Sequence, residues 1–368
     1  MSVIKIIRNG EELFHRYRWR YGIVVCPYCG SIHIHSYARA GNFTNSNVVT
    51  SKIAHTHAHT YRCLDCKRKF SDKTRTPLHS SKLPIGYWMY GIYELLTGDI
   101  SSVRLAKKLG ITQKSAWLML SKIRYAMDIS NIKLSGNIAQ DEMYVGGCLS
   151  NYHYGRKLGL LRANGLLEEG ETRYTKPAIY ALNSRLKKPV FGMNDGNNIV
   201  LYVTPNPIKR KDIHMLFKKH VDAGNISIAD ESSLYDNWDR VTGCKIYKNN
   251  HHNNQYKTEE GYTSNRIENT FSWFKRWYAL RVVHSKYTQL YLNEFCYRYN
   301  NRTKPIESRL EDFISSFDET VTYKKIKALD KPVKPVKHRT IPTISFVDEL
   351  LSNPLVNGVR IGKTMYRK

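Results

Sequence analysis

The sequence has no uninterrupted apolar run of the roughly 20 residues that a bilayer-spanning helix needs. Its opening stretch, MSVIKIIRNGEELFHRYRWRYG, lacks the apolar core and small-residue cleavage site of a secretory leader. A soluble, cytoplasmic chain without membrane partners is expected. Repeats of solenoid length are absent, which excludes stacked-repeat architectures. Cysteine is scarce, with 7 in 368 residues, so a disulfide scaffold is excluded as well. Acid is scarce relative to base: Asp and Glu total 31 against 58 Lys and Arg, a formal charge of +27.

A charge excess of that size repels itself unless a polyanion is the partner. Duplex DNA or RNA fits, through phosphate neutralisation and counterion release. An anionic membrane surface would call for one basic amphipathic helix or a polybasic tail. Here the basic residues run through the whole chain, which favours nucleic acid. The length suits two or three domains, and a hydrophobic share of 41% is enough to build their cores.

The cysteines that are present carry a pattern. Cys26-Pro-Tyr-Cys29 and Cys63-Leu-Asp-Cys66 are two C-x-x-C turns, while Cys148, Cys244 and Cys296 stand alone. Each turn points two thiolates at one centre, and two turns complete a closed, structural, tetrahedral zinc site. The flanks CPYCGS and YRCLDCKRKFSD read as the two knuckles of a zinc ribbon. Between and beside the pairs lie His33, His35, His55, His57 and His59 with a period of two, which sets each group along one strand face. The solvent face of the ribbon hairpin is the plain reading; a second metal site and DNA backbone contact are the alternatives.

The segment from Ser101 to Trp117 has helix-turn-helix logic. Val103, Ala106 and Leu109 form an apolar stripe, Gly110 permits the turn, and Thr112 caps the next helix. Ala116, Leu118, Leu120 and Ile123 bury that second helix, leaving Gln113, Lys114 and Ser115 at its N-terminal end, where a recognition helix reads the major groove. Arg104, Lys107, Lys108, Lys122 and Arg124 supply a basic surround. An ordinary pair of core helices is the alternative. Tyr87, Trp88, Tyr90, Tyr93, Leu95 and Leu96 read as a buried preceding helix.

Downstream, Asn137 to Gly147 reads as a strand that carries Asp141 and ends in a glycine turn. Two further strands, Pro189–Met193 and Ile199–Thr204, are joined through Asn194-Asp195-Gly196, a strong hairpin signal. Lys211 to Val221 is an amphipathic helix with Ile213, Leu216 and Phe217 inward, Ile226 to Asp230 is a short strand ending on an acid, and Asn265 to Lys275 reads as a helix. This order is that of the ribonuclease-H-like fold, a mixed α/β sheet flanked by helices.

Hard divalent cations take oxygen ligands, and two of them can clamp the attacking and leaving oxygens of a phosphodiester. Asp141 and Asp230 on two strands and Glu268 on a helix can converge on such a pair. Lys275 follows Glu268 by seven residues, which brings it back to within about 20° of the same helix face and within reach of a bound phosphate. Each acid also has a structural reading. Asp195 and Asp222 suit turns, Glu142 points to the strand face opposite Asp141, and Glu231 can open a helix as a dipole partner. Trp273, Phe274 and Trp277 read as core more readily than as base-stacking platforms.

Taken together, CPYCGS…YRCLDCKRKFS, DEMYVGG, IADESSLY, TSNRIENTFSWFKR and YLNEFCYRYNNR, spanning about residues 20 to 302, resemble bacterial insertion-sequence transposases with an N-terminal zinc ribbon, the branch related to eukaryotic Merlin elements. The resemblance implies an acidic triad of Asp141, Asp230 and Glu268 with Lys275 as basic companion. It also implies Mg²⁺ or Mn²⁺ at the catalytic centre, terminal inverted repeats and target DNA as substrates, and a homodimer or higher oligomer on bacterial, nucleoid-associated DNA. The family's third ligand is Glu or Asn, and both Asn265 and Glu268 are on offer; Ser264 stands where related chains usually have His. The stretch from Cys148 to Lys176 reads as irregular.

The expected organisation is a zinc ribbon over residues 1–78, a helix-turn-helix region over 79–130, a ribonuclease-H-like catalytic domain over 131–315, and a C-terminal stretch over 316–368 with the Pro- and Lys-rich linker KPVKPVKHRTIP. Two other functions fit the same features: a DNA-binding regulator without catalysis, and a nuclease without strand transfer.

Overall fold

The structure, a computed structural model, describes residues 3–36, 59–146, 152–249, 261–281 and 283–329. His55, His57, Cys148, Gly147 and the Pro- and Lys-rich linker with its tail lie outside the described residues. The chain packs as two units, Met1–Ala126 with Lys304–Lys368, and Met127–Thr303. Among the described residues no helix is long and apolar enough to cross a membrane.

The first unit begins with α1 (Val3–Arg8) and α2 (Gly10–Arg18). Three short strands follow, β1 (Ile34–Ser36), β2 (Thr60–Cys63) and β3 (Lys69–Ser71), in an antiparallel sheet of that order. Trp19, Cys26, Tyr61, Cys63 and Phe70 form a small core of their own. Next come α3 (Ile85–Thr97), α4 (Ser102–Leu109) and α5 (Gln113–Ala126). α2 crosses α3 at two glycines: a Cβ on Gly10 would lie 2.4 Å from the Gly86 Cα, and one on Gly86 only 2.1 Å from the Ile7 carbonyl oxygen. Only hydrogen at both positions lets the backbones approach so closely.

The α4–α5 turn follows its local chemistry. Ser101 Oγ accepts from the Arg104 amide at 3.2 Å, Gly110 takes a left-handed φ of 63°, and Thr112 Oγ1 accepts from the Ser115 amide at 3.2 Å. The buried face differs from the expected stripe. Leu105, Ala106 and Leu109 are inside, whereas Val103 is 65% exposed. A spacing of three drifts about 60° per step, so Val103 and Leu109 fall well apart around the axis. On α5, Ala116, Met119, Leu120 and Ile123 are buried and Leu118 is half-buried.

The basic surround also needs correction. Lys122 and Arg124 are buried, and Lys122 Nζ donates to the Pro77 carbonyl at 3.2 Å and sits over the Trp88 ring. Burial lowers the Lys122 pKa below the usual lysine range. Lys108 is paired with Glu94 at 2.6 Å. Arg104, Lys107 and Lys114 remain on the exposed surface.

The second unit carries β4 (Asn137–Val145), α6 (Tyr154–Ala163), α7 (Lys176–Leu186), β5 (Lys188–Asn194), β6 (Ile199–Val203), α8 (Arg210–His220), β7 (Ile226–Asp230), α9 (Trp238–Thr242), β8 (Lys245–Asn249), α10 (Asn265–Ala279) and α11 (Thr288–Asn300). Its sheet runs β6-β5-β4-β7-β8, with β4, β5 and β6 antiparallel in turn and β7 and β8 parallel to β4. The β5–β6 hairpin turns at Asp195, whose Oδ1 accepts from the Asn197 and Asn198 amides at 2.9 and 2.7 Å. β4 is central and mostly buried, as a strand covered on both faces must be. The supposedly irregular stretch after Cys148 instead contains α6, which with α7 buries Leu161 and Leu182 in a satellite cluster. The chain then returns to the first unit as α12 (Ile306–Ser315) and α13 (Tyr323–Lys327). There Asp312 pairs with Arg20 at 2.7 Å, and Arg18 donates to the Phe317 carbonyl.

Candidate active site and metal centres

β4 and β7 run parallel with Ala139 opposite Ile228. Two residues further along each strand, past the last paired residues, stand Asp141 and Asp230. Gln140 Nε2 donates to Ser227 Oγ at 2.7 Å inside the sheet and fixes this register from within. Carboxylate oxygens of Asp141, Glu142 and Asp230 all lie within 4.8 Å of one another. Glu142 was expected on the opposite face, since successive strand side chains alternate. β7 pairs with β4 only as far as Ala139, however, while β5 continues to Val145. Glu142's two-carbon stem carries its carboxyl back beside Asp141, where Tyr235 donates its hydroxyl to Oε1 at 2.5 Å. Burial pushes the Glu142 carboxyl up to about 7; the neighbouring Asp141 and Asp230 carboxylates add to this and the Tyr235 hydrogen bond opposes it.

α10 completes the surroundings. Ile267, Thr270, Phe271 and Phe274 form its buried stripe. Arg266 ties the helix start to the sheet by donating to the Asp195 and Asn137 carbonyls at 3.1 and 3.3 Å. Along one edge of this stripe, at Phe271, the helix faces a cavity of about 400 Å³ lined also by Asp141, Glu142, Met143, Glu268, Ser272, Lys275 and Arg276. Glu268 Oε1 accepts from Ser264 Oγ at 2.6 Å. The expected residues Asp141, Glu268 and Lys275 therefore share one cavity, and Asp230 brings a carboxylate oxygen within 4.8 Å of that of Asp141. Asn265 is exposed and is not among the cavity-lining residues. Of the nearby aromatics, Phe274 is buried, but Trp273 is 48% exposed, unlike a core residue.

An all-oxygen donor set on rigid strands suits a hard divalent cation. Asp141, Glu142 and Asp230 present such a set, so the residues fit the metal that the chemistry needs. Glu142 was missed because the pleat alone predicts where a side chain starts, not where a longer one ends. The acid directly beside Asp141 was the available signal.

In the first unit the sulfurs of Cys26, Cys29, Cys63 and Cys66 also gather within 4.8 Å, with Cys26–Cys66 and Cys29–Cys63 at 3.6 Å. A tetrahedron with bonds of about 2.3 Å to sulfur has edges of about 3.8 Å, so the four thiols fit a zinc ion. Cys244 and Cys296 are buried in the core of the second unit. His33 and His35 are exposed on or beside β1, but His59 is half-buried against Asp72, which departs from a solvent-facing row.

Residues 133–300 match the family model of the ISXO2-like transposase domain. Over 198 residues the chain is 25% identical to an uncharacterised protein in transposable element ISH50 of Halobacterium salinarum, covering 54% of this chain and 58% of that relative. No solved structure matches. The region matched by the family model contains Asp141, Glu142, Asp230, Glu268 and Lys275. Residues 133–300 are thus similar to the ISXO2-like transposase domain, and the chain is similar to a protein carried by a transposable element.

Proposed function

We propose that this protein is a metal-dependent transposase that binds the terminal inverted repeats of its element, cuts them and joins them to target DNA. The observation that carries the reading is the convergence of the Asp141, Glu142 and Asp230 carboxylates beside a cavity that also holds Glu268 and Lys275. The sheet order, with three antiparallel strands followed by two parallel ones, supports a ribonuclease-H-like core.

Asp141, Asp230 and Glu268 are the proposed ligands of Mg²⁺ or Mn²⁺. Bound metal supplies activation of the attacking oxygen and stabilisation of the leaving oxygen of a phosphodiester. Glu268 is favoured over Asn265 because it lines the cavity with Asp141. Asp141 and Asp230 hold their carboxylates on adjacent strands, so little reorganisation is needed on binding. Lys275 meets the phosphate of the DNA strand, and Ser264 orients Glu268. The Cys26, Cys29, Cys63 and Cys66 knuckles form a zinc ribbon over residues 1–78, and α4 with α5 forms a helix-turn-helix. Gln113, Lys114 and Ser115 read bases there, and Arg104, Lys107 and Lys108 meet phosphates. The catalytic domain in this reading is the unit Met127–Thr303 rather than residues 131–315, since α12 packs with the first unit, and assembly on DNA is a dimer or higher oligomer.

The test is strand transfer by the full chain with Mg²⁺ on a labelled duplex bearing the element's own terminal repeat. Joined products are expected from wild type and from Asn265→Ala, and none from Asp141→Ala, Asp230→Ala or Glu268→Gln. Cleaved but never joined ends point to a nuclease. End-specific binding without cleavage in any lane points to a DNA-binding regulator.

A further inference from the structure

Asp72 immediately follows β3 and is fully buried. Trp19 Nε1 donates to its Oδ1 at 2.7 Å. Its Oδ2 faces two imidazoles, with His59 Nδ1 at 2.8 Å and His15 Nδ1 at 3.2 Å. His15 Nδ1 also lies 3.2 Å from Oδ1 and 3.3 Å from the Tyr61 hydroxyl. It therefore stands nearly equidistant from three oxygens, each beyond the usual 2.9–3.0 Å of a good N–H···O bond. His15 Nδ1 thus points into the space between the Asp72 carboxylate and the Tyr61 hydroxyl without a short bond to any one oxygen. The donor atoms of His15, His59 and Asp72 all lie within 4.8 Å of one another.

We infer that His15, His59 and Asp72 bind a second zinc ion, separate from the four-cysteine centre. Two imidazole nitrogens and one carboxylate oxygen are a donor set for a borderline divalent cation such as Zn²⁺. The Tyr61 hydroxyl or a water completes the coordination. Trp19 acts as the outer partner that fixes the carboxylate, since its N–H donates to Oδ1, the oxygen not bonded to His59. The ligands come from α2, from the residue before β2 and from the residue after β3, so the ion would clamp the N-terminal helix to the small sheet. The rings of His15 and His59 lie side by side, their centroids 4.2 Å apart and tilted by 40°.

The test is the zinc content of the full chain by mass spectrometry after dialysis against excess Mg²⁺, with zinc-edge X-ray absorption on the same samples. Two zinc ions per chain are expected for wild type, with nitrogen or oxygen scatterers beside sulfur. His15→Gln and His59→Gln should each reduce the content to one ion with a sulfur-only shell. A wild-type content of one ion with a sulfur-only shell overturns the inference and leaves a hydrogen-bonded trio around Asp72. Two ions in wild type that persist in both histidine variants overturn it as well, because the second ion then sits elsewhere. The wild-type absorption spectrum alone separates the one-ion and two-ion cases should a variant fail to fold.

Discussion

Asp141 and Gly192 face each other across the β4–β5 pairing, and the side chain missing at Gly192 is the space into which α10 packs. A Cβ there would lie 2.6 Å from Phe271 Cε1, 2.7 Å from Leu201 Cδ2 and 2.9 Å from Ile267 Cδ1. The strand that braces the first acid and the helix that carries Glu268 thus meet at one glycine.

Gly192→Ala should therefore weaken the protein and its chemistry together. Overpacking of this kind costs about 1–3 kcal/mol. Urea unfolding of the second unit should show that loss, and metal-dependent cleavage should fall more than the remaining folded fraction explains, because α10 must lift and carry Glu268 away from Asp141. Unchanged cleavage per folded molecule would mean that α10 does not set the site.

DNA affinity should separate the exposed bases from the buried ones. Lys107→Ala and Lys114→Ala should each weaken binding and reduce the slope of log affinity against log salt by about 1. Lys122→Met should leave that slope unchanged, since Lys122 is committed to the Pro77 carbonyl. Salt titrations of duplex binding read both effects. A slope that falls for Lys122→Met and not for the other two would reverse the assignment.

Zinc removal should act locally. Chelation, or Cys26→Ser with Cys66→Ser, removes a centre whose binding free energy is on the order of 10 kcal/mol in small zinc modules. Amide exchange should accelerate across β1, β2 and β3, which enclose only a small core, while β4 to β8 keep their protection. End-specific DNA binding should be lost with the ribbon.

Acid should loosen the second unit through His220. Its ring is fully buried, with Nδ1 2.6 Å from the Ile132 carbonyl oxygen and Nε2 3.0 Å from the Tyr202 hydroxyl. Burial, aided by Lys219 and Lys133, holds its pKa below the ordinary value of 6.5. The unfolded chain therefore takes up this proton first as pH falls. The stability contribution is full above about 6.5 and is lost progressively below it. Denaturant midpoints between pH 7 and 5 should decline in wild type and flatten in His220→Gln. Equal declines in the two proteins would remove His220 as the cause.

Much of this architecture was legible from short-range chemistry. Gly110 and Thr112 mark the α4–α5 turn because caps and left-handed turns depend on residues within a few positions. Asn194-Asp195-Gly196 marks the β5–β6 hairpin for the same reason. Asp141 was placed on its strand by apolar flanks alone. What escaped depended on distant partners. Lys122 looked like a surface base until Pro77 and Trp88 enclosed it. The strand β8, with its KIYKN sequence, has little apolar pattern and is held by pairing with β7. Glu142 joined Asp141 because the β4–β7 pairing stops early. The meeting of His15 with Asp72 spans 57 positions of sequence, and no local rule reports it.

The return of α12 to α2 has a consequence for the order in which the molecule is made. Arg20 meets Asp312 at a separation of 292 residues, and Arg18 meets Phe317 at 299. All of Met127–Thr303 lies between those partners and leaves the ribosome before Asp312 and Phe317. Domains tend to fold as units during synthesis, and long loops close late. The acid-bearing unit is thus expected to be finished while the four-cysteine unit still waits for its last helices. A nascent chain would gain its carboxylate cluster before its four-cysteine unit is closed, and a product truncated ahead of Asp312 would keep the first without the Arg20 and Arg18 ties of the second.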